Sequence, residues 1–411
     1  MSNLAINGGK HVGKVKTIPW PYFGVKEKEY LNQVLESGHW AYLGPFEEKL
    51  ERAFAEFCKS DYAVASTNGT HTLRIALEAL GIGPGDEVIV PAMTWQATAS
   101  VVLDVNAIPV LVDIDPDTYT ISPDAIKGAL NNKTRCIIPV HLYSCICDMD
   151  EIMKIAEKNN LSVIEDCAHQ HGSEWKGKKV GTIGNIGSFS LQGSKILNCG
   201  EGGLLTTDSK KLYEYLQSLK NCGRHHNYSP NVMHSGNYRM TEFQAAIALA
   251  QLERLAEQNE RREKTMKYLE TQIEGTLGIQ SLKRRPEVTR QAIYQWTLKY
   301  IQDEWEGISR DRFVKALSAE LDGSVMFNMP YRPLNMSPLY DPLNKKTHKL
   351  NDEYIKSINP AQYKMPVAER AYSNEIVNVH HNFLLSEPED CMKILYAIEK
   401  LRKNMGELHE H

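Results

Sequence analysis

No stretch of this 411-residue sequence approaches the roughly 18–20 uninterrupted apolar residues that span a bilayer, and its start, MSNLAINGGKHVGKVK, lacks the apolar segment of an export signal. A cytoplasmic location is the expectation. An excess of either charge is missing too. Lys plus Arg number 47 and Asp plus Glu 51, a formal charge of −4, so no polybasic face is offered to nucleic acid or anionic lipid. A small uncharged or anionic metabolite is the expected partner. The eight cysteines (58, 136, 145, 147, 167, 199, 222 and 391) include no C-x-x-C pair. Cys145 and Cys147 form a C-x-C, and buried free thiols are expected rather than disulfides. His169 and His171 lie close in sequence, but there is no H-E-x-x-H, and no metal is expected. Internal repeats, low-complexity tracts and long linkers are also lacking.

What is present is an ordinary globular composition, 42% hydrophobic and 24% charged, in a chain long enough for two or three domains. From about Glu47 to Leu205 helical and strand patterns alternate, the mark of an α/β domain with a mostly parallel sheet. Apolar residues at 46, 50, 54 and 57 predict a helix over Phe46–Cys58, and those at 73, 76, 77 and 80 predict another over Thr70–Leu80. Strands are predicted at Glu87–Pro91, Pro109–Ile114, Cys136–Val140, Ser162–Glu165 and Gly187–Leu191. Their spacing suits the long crossovers that parallel neighbours require. The Ala-rich run after Met240 predicts a long helix from Thr241 to about Gln272. From about Gly275 the pattern is mixed: a strand at Tyr294–Tyr300, a helix at Arg310–Leu321, a Pro-rich loop at 330–342 and a terminal helix at 388–403.

Three features sit where an open α/β sheet places its ligand, beyond the carboxyl ends of strands. Ser66-Thr67-Asn68-Gly69-Thr70-His71 precedes a helix, whose free N–H groups can bind an anion; equally, Asn68 or Thr70 can simply cap that helix. Val163-Ile164-Glu165-Asp166 is an apolar strand ending in a carboxylate, which either accepts from a protonated ring nitrogen or caps the next loop. Gly187-Ser188-Phe189-Ser190-Leu191-Gln192-Gly193-Ser194-Lys195 puts a lysine just past a strand, among small and apolar residues that would lower its pKa. Together they supply what a pyridoxal phosphate enzyme needs: a phosphate anchor, a pyridinium partner and an amine to bond the cofactor.

Asn68-Gly69-Thr70, Gly85 to Pro91, Thr94-Trp95, Glu165 to His169, Ser188-Phe189-Ser190 with Lys195, Gly200-Glu201-Gly202-Gly203 and Asn237 to Thr241 resemble the DegT/DnrJ/EryC1/StrS family of sugar aminotransferases. The resemblance runs from about Pro19 to the C-terminus. Leu103 to Ala107, Gln192 and His381 with Leu384-Leu385 look most like its cyclitol and aminoshikimate branch. That branch includes the L-glutamine:scyllo-inosose and 2-deoxy-scyllo-inosose aminotransferases and 3-amino-5-hydroxybenzoate synthase. The resemblance implies a fold-type I, aspartate aminotransferase-like α/β enzyme with a large mostly parallel sheet domain and a smaller α+β C-terminal domain. The layout would be an N-terminal arm over 1–20, a cofactor-binding domain over 21–255, and a connecting helix with the small domain over 256–411. The enzyme would be a homodimer with its active site shared between subunits. Its cofactor would be pyridoxal 5'-phosphate, passing through pyridoxamine 5'-phosphate. Lys195 would bond the cofactor and then move the substrate proton. Asp166 would keep the pyridinium protonated, and Trp95 would stack on the ring, where the alternative is a packed core aromatic. His169 would lie beside the ring hydroxyl. Gly69, the Thr70 and His71 amides and the Ser190 hydroxyl would hold the phosphate, with Asn237 reaching it from the other subunit. Gln192 and His381 would contact substrate, although Gln192 can equally brace its own loop.

The sequence departs from the family at Ser144-Cys145-Ile146-Cys147, where a glycine usually follows Tyr143, and at Asn198-Cys199 after Lys195. The expected reaction moves an amino group from L-glutamine or L-glutamate to a keto-cyclitol or keto-sugar. A nucleotide-linked keto-hexose is the alternative acceptor, with Arg224, Arg239 and Arg332 as possible cations for its diphosphate. A dehydratase on the same scaffold would carry His in place of Lys195. A regulatory protein would need a basic patch or an added helix-turn-helix, and neither is present.

Overall fold

Segments such as Glu87–Pro91 become strands buried on both faces because side chains alternate across the sheet: Val88 and Val90 enter one apolar core and Ile89 the other. The structure, a computed structural model, describes residues 2–224, 234–273 and 278–409. Along them run strands β1 (Tyr62–Ser66), β2 (Glu87–Pro91), β3 (Ile108–Val112), β4 (Thr134–Ile137) and β5 (Ser162–Asp166). The short β6 (Glu174–Trp175) and β7 (Lys178–Lys179) follow, then β8 (Ile186–Ser190) and β9 (Gly203–Thr207). After the helix Glu242–Ile273 come β10 (Ile279–Ser281), β11 (Val288–Arg290), β12 (Gln295–Tyr300), β13 (Phe327–Asn328) and β14 (Ile376–His380).

The main sheet has the order β1-β9-β8-β5-β4-β2-β3. It is parallel except for β9, which runs against both β1 and β8. Register aligns Ser66 with Gly203 and Gly203 with Ser190, while Asp166 faces Ser188 across β5 and β8. The carboxyl ends of β1, β5 and β8 therefore lie side by side, and the three sequence features meet at one edge. The apposition is tight: a Cβ on Gly69 would lie 2.7 Å from that of Ser190, and one on Gly203 would lie 2.6 Å from the Asn68 carbonyl oxygen.

The small domain carries the antiparallel sheet β10-β12-β14-β13, and β11 joins β6 and β7 in a three-stranded sheet. The layout differs from the expected one in three ways. The 255/256 boundary falls inside the 32-residue helix Glu242–Ile273, which packs on both domains. Leu4 and Val15, in the expected arm, are buried in the small-domain core beside Trp296 and Trp305. Residues from Leu334 to Ile376 pack instead against the core of the main sheet, with Tyr340, Tyr354 and Met365 buried there. Gly275, where the mixed region was expected to begin, lies outside the described residues. Among the described residues no helix is long and apolar enough to cross a membrane.

Candidate active site

Asn68 N-caps the helix Gly69–Ala79, its Oδ1 accepting the His71 amide at 2.8 Å. The first two helical amides, of Gly69 and Thr70, face a cavity of about 660 Å³ that both residues line. The expected His71 contribution is corrected here: its amide is taken by the cap, its Nδ1 pairs with Thr67 Oγ1 at 3.0 Å, and it does not line the cavity. The capping reading holds, and the leading N–H groups are those that a helix leaves without intrahelical partners.

Across the cavity stands Asp166, at the end of β5 and buried. One carboxylate oxygen accepts the Thr98 hydroxyl at 3.0 Å and the other the Ala168 amide at 3.2 Å. Thr94 in turn pairs with the Thr98 hydroxyl at 2.9 Å, so a chain of hydroxyls fixes the carboxylate. Burial raises the Asp166 pKa against those hydrogen bonds and the pull of Lys195. Behind Asp166, the His141–Glu165–Cys167 cluster has the side-chain types of a metal site. Glu165 already accepts the Gly181, Ile183 and Gly184 amides and pairs with His141 Nε2, while His141 Nδ1 accepts the Cys147 amide. The cluster is a strut, and it anchors the loop that departs from the family. That loop turns without the usual glycine because Tyr143 itself takes φ of +54°.

Lys195 enters from the loop after β8, only 8% exposed. Burial lowers its pKa to about 7, with Asp166 pulling the other way. Its Nζ lies 4.2 Å from the centroid of the Tyr294 ring. His169 accepts the Tyr143 amide on Nδ1 at 3.1 Å, which leaves the proton on Nε2 to donate to the Tyr331 hydroxyl, also at 3.1 Å. Burial, reinforced by Lys195, holds this imidazole well below its ordinary pKa and hence neutral. Trp95, 48% exposed, and Ser190 complete the walls. Gln192 lines the cavity and also braces its loop: its Oε1 accepts the Ser194 amide at 2.9 Å and hydroxyl at 2.6 Å.

One expected contact, that of His381, is not made, and Asn237, expected to act in the other subunit, lies away from the cavity of its own chain. His381 is fully buried beneath the site, its Nε2 on the Ser194 carbonyl at 3.1 Å, and it does not line the cavity. Asn237 is exposed outside the cavity, its Oδ1 accepting the Arg239 amide at 3.3 Å. Sequence reasoning missed Thr98, Tyr294 and Tyr331. Thr98 had a signal in its spacing, three residues after Trp95, whereas the two tyrosines come from the small domain and gave none.

The profile of the DegT/DnrJ/EryC1/StrS aminotransferase family matches residues 21–383. The chain is 38% identical to the L-glutamine:2-deoxy-scyllo-inosose aminotransferase of Micromonospora echinospora, across 99% of this chain and 100% of that one. It is 37% identical to the L-glutamine:scyllo-inosose aminotransferase of Streptomyces griseus, across 99% of each. Among solved structures, 3-amino-5-hydroxybenzoic acid synthase superposes with a TM-score of 0.82 at 29% identity, covering 96% of this chain and 100% of that one.

Proposed function

Because the chain belongs to the DegT/DnrJ/EryC1/StrS aminotransferase family, we propose that it uses pyridoxal 5'-phosphate to carry the amino group of L-glutamine to the ketone of a scyllo-inosose-type cyclitol. The single observation that carries this reading is the buried Lys195 amine sharing one cavity with the buried Asp166 carboxylate. Among the described residues no ammonium, guanidinium or imidazole nitrogen forms a salt bridge with Asp166, so a protonated ring nitrogen fits as its missing cation. The Gly69 and Thr70 amides with the Ser190 hydroxyl fit a phosphate, and the Trp95 face fits an aromatic ring.

When bound, the cofactor supplies the carbonyl that takes up the amino group and a ring that draws electrons from the substrate carbon. The protein's share is then definite. Lys195, whose amine burial makes easier to deprotonate, would be the nucleophile that holds the cofactor and, once released, the base that takes the proton from the carbon bearing the donor nitrogen. Asp166, oriented by Thr98, would keep the ring nitrogen protonated. Neutral His169, its two nitrogens held by Tyr143 and Tyr331, would lie against the cofactor ring without adding charge. The donor leaves as its 2-oxo acid, and the ketone leaves as an amine. Glutamine as donor and a cyclitol as acceptor are supported by the relatives' activities. They are also supported by the cavity wall, which among the described residues holds no arginine and does hold Glu201, a poor setting for a diphosphate or a second donor carboxylate. Arg239 is spent on Asn221 and on the Tyr42 face, and Arg332 on Tyr372.

The test is steady-state kinetics on purified holoprotein with L-glutamine or L-glutamate against scyllo-inosose, 2-deoxy-scyllo-inosose and a UDP-linked keto-hexose, read by mass spectrometry. The expected result is at least about tenfold higher kcat/KM for the free cyclitols, with glutamine preferred, as the relatives' activities suggest. A preference for the nucleotide-linked ketone would overturn the assignment.

A further inference from the structure

A second cavity, about 750 Å³, lies beside the first and shares Ser194, Tyr294 and Tyr331 with it. Among the described residues no charged side chain lines it. Its polar wall comes from the small domain: Gln295 on β12, Asn328 on β13, and Asn378 and His380 on β14. Adjacent antiparallel strands bring these side chains together, since Gln295 faces His380 and Asn328 faces Asn378 in register.

Asn378 is only 2% exposed. Its Oδ1 accepts the Thr297 hydroxyl at 2.7 Å, but its Nδ2 has no partner. Leaving an amide N–H unpaired at such depth is costly, and buried polar groups are otherwise satisfied almost without exception. The neighbouring amides do not compensate: Gln295 Oε1 is already occupied by Asn328 Nδ2 at 3.0 Å, and Asn382 Oδ1 by His380 Nδ1 at 2.8 Å. The Tyr143 hydroxyl, which accepts the Tyr331 amide at 2.8 Å, lines the same cavity and is near enough to the Asn378 amide for that amide to favour its ionised form. No hydrogen bond of normal distance and angle joins the two, so Nδ2 stays open to a ligand oxygen. The cavity therefore presents an unused donor and no charge. Burial lowers the His380 pKa, so its ring adds no cation.

We propose that this cavity is a recognition pocket for an uncharged, oxygen-bearing part of a reactant, with Asn378 Nδ2 donating to its oxygen. The proposal rests on the aminotransferase reading above. The same chemistry has two sources in that reaction, the hydroxyls of the cyclitol and the side-chain carboxamide of glutamine. In an alternating reaction one neutral pocket serves both. A carboxylate or a phosphate entering it would lose its water without gaining a counter-ion.

Two unreactive probes separate the sources: myo-inositol, and butyramide, which keeps the side-chain carboxamide of glutamine but lacks its amino and carboxylate groups. Each is titrated calorimetrically into the holoenzyme beside its charged counterpart, myo-inositol 1-phosphate or butyrate. At least one neutral probe is expected to bind at least about tenfold more tightly than its counterpart. Asn378→Asp keeps the acceptor for Thr297 and removes the donor, so it should weaken that probe by about tenfold or more. Asn328→Ala, at a half-buried position on the same wall, is the second variant should the first not fold, and it should weaken the probe several-fold. The probe that responds identifies the source. Binding of neither probe, equal binding of charged and neutral forms, or unchanged affinity in a folded variant would overturn the pocket. If wild type turns over scyllo-inosose while the variants bind unchanged, the pocket fails and the aminotransferase reading stands. If the probes bind through Asn378 while only nucleotide-linked ketones are aminated, the pocket stands and the acceptor assignment fails.

Discussion

Lys195 gains its chemistry from burial rather than from any unusual partner. Removed from water, the ammonium is disfavoured and the pKa falls to about 7, while Asp166 across the cavity pulls it upward. The sign of the pH dependence follows. Above about pH 7 the amine is free and nucleophilic, and below it the amine is protonated and inert. Covalent loading of the apoprotein with pyridoxal phosphate, followed by absorbance, should therefore rise with a midpoint near pH 7 rather than near the ordinary lysine value of about 10. Asp166→Asn removes the upward pull and should move the midpoint lower. A midpoint near 10, or an upward shift in the variant, would mean that the amine titrates as an exposed lysine. Borohydride reduction and peptide mapping should place the label on Lys195 alone, and Lys195→Ala should lose both label and turnover. Lys195 and Asp166 stood out in the sequence because each lies just past a predicted strand, and a parallel sheet aligns such ends, whereas Trp95 and Ser190 were expected only from the family resemblance. Tyr294 and Tyr331 were not, because their place depends on how the small domain docks, which no local pattern encodes.

At the level of elements, strands such as β2 and β5 were readable as short apolar runs bounded by turn residues. The antiparallel β9 was not, because Gly203-Leu204-Leu205-Thr206-Thr207 follows a glycine-rich turn and carries no alternation of its own. The structure also reveals a joint that the sequence hides. Lys220, at the end of the helix Lys210–Lys220, is fully buried and donates at 2.6 Å to both Glu47 and Glu51 of the helix Pro45–Cys58. Burial works against its charge, yet the two carboxylates hold its pKa above the ordinary value. Glu242 completes the joint from the helix Glu242–Ile273, accepting the Phe46 and Glu47 amides at 2.9 and 2.7 Å, where the first helical N–H groups need an acceptor. Lys220→Met leaves the buried Glu47 carboxylate without its cation and should cost about 3–5 kcal/mol in urea unfolding. Adding Glu47→Gln and Glu51→Gln should recover part of that loss. A single variant within about 0.5 kcal/mol of wild type would show that the ion pair is not what joins these helices.

In the whole molecule, one chain leaves the proposed site open. Trp95 is half exposed, Asn237 faces outward from the cavity of its own chain, and Tyr22, Phe23, Val25, Leu35 and Trp40 leave large apolar surfaces exposed near the N-terminus. Exposed apolar groups at this density are characteristic of a surface that another chain covers. A two-fold dimer would cover it in a self-complementary way, so that a residue unable to reach its own cavity reaches its partner's. Asn237 is the candidate, as donor to the partner's cofactor phosphate. Complementation separates the two arrangements. Lys195→Ala and Asn237→Ala chains are each expected to be inactive or nearly so. In a hybrid dimer of the two, one site receives both substitutions and the other receives neither. With random exchange in an equal mixture, half of the dimers are hybrids, each with one intact site, so about a quarter of wild-type activity should return. Refolding or prolonged co-incubation of differently tagged chains provides the exchange, and tandem affinity isolation verifies the hybrid. If Asn237 served the site of its own chain, every hybrid would hold two singly damaged sites and no activity would return. Verified hybrids that remain as inactive as their parents would therefore refute the shared site, whereas recovery in proportion to the hybrid fraction would fix Asn237 and Lys195 on opposite subunits of one catalytic centre.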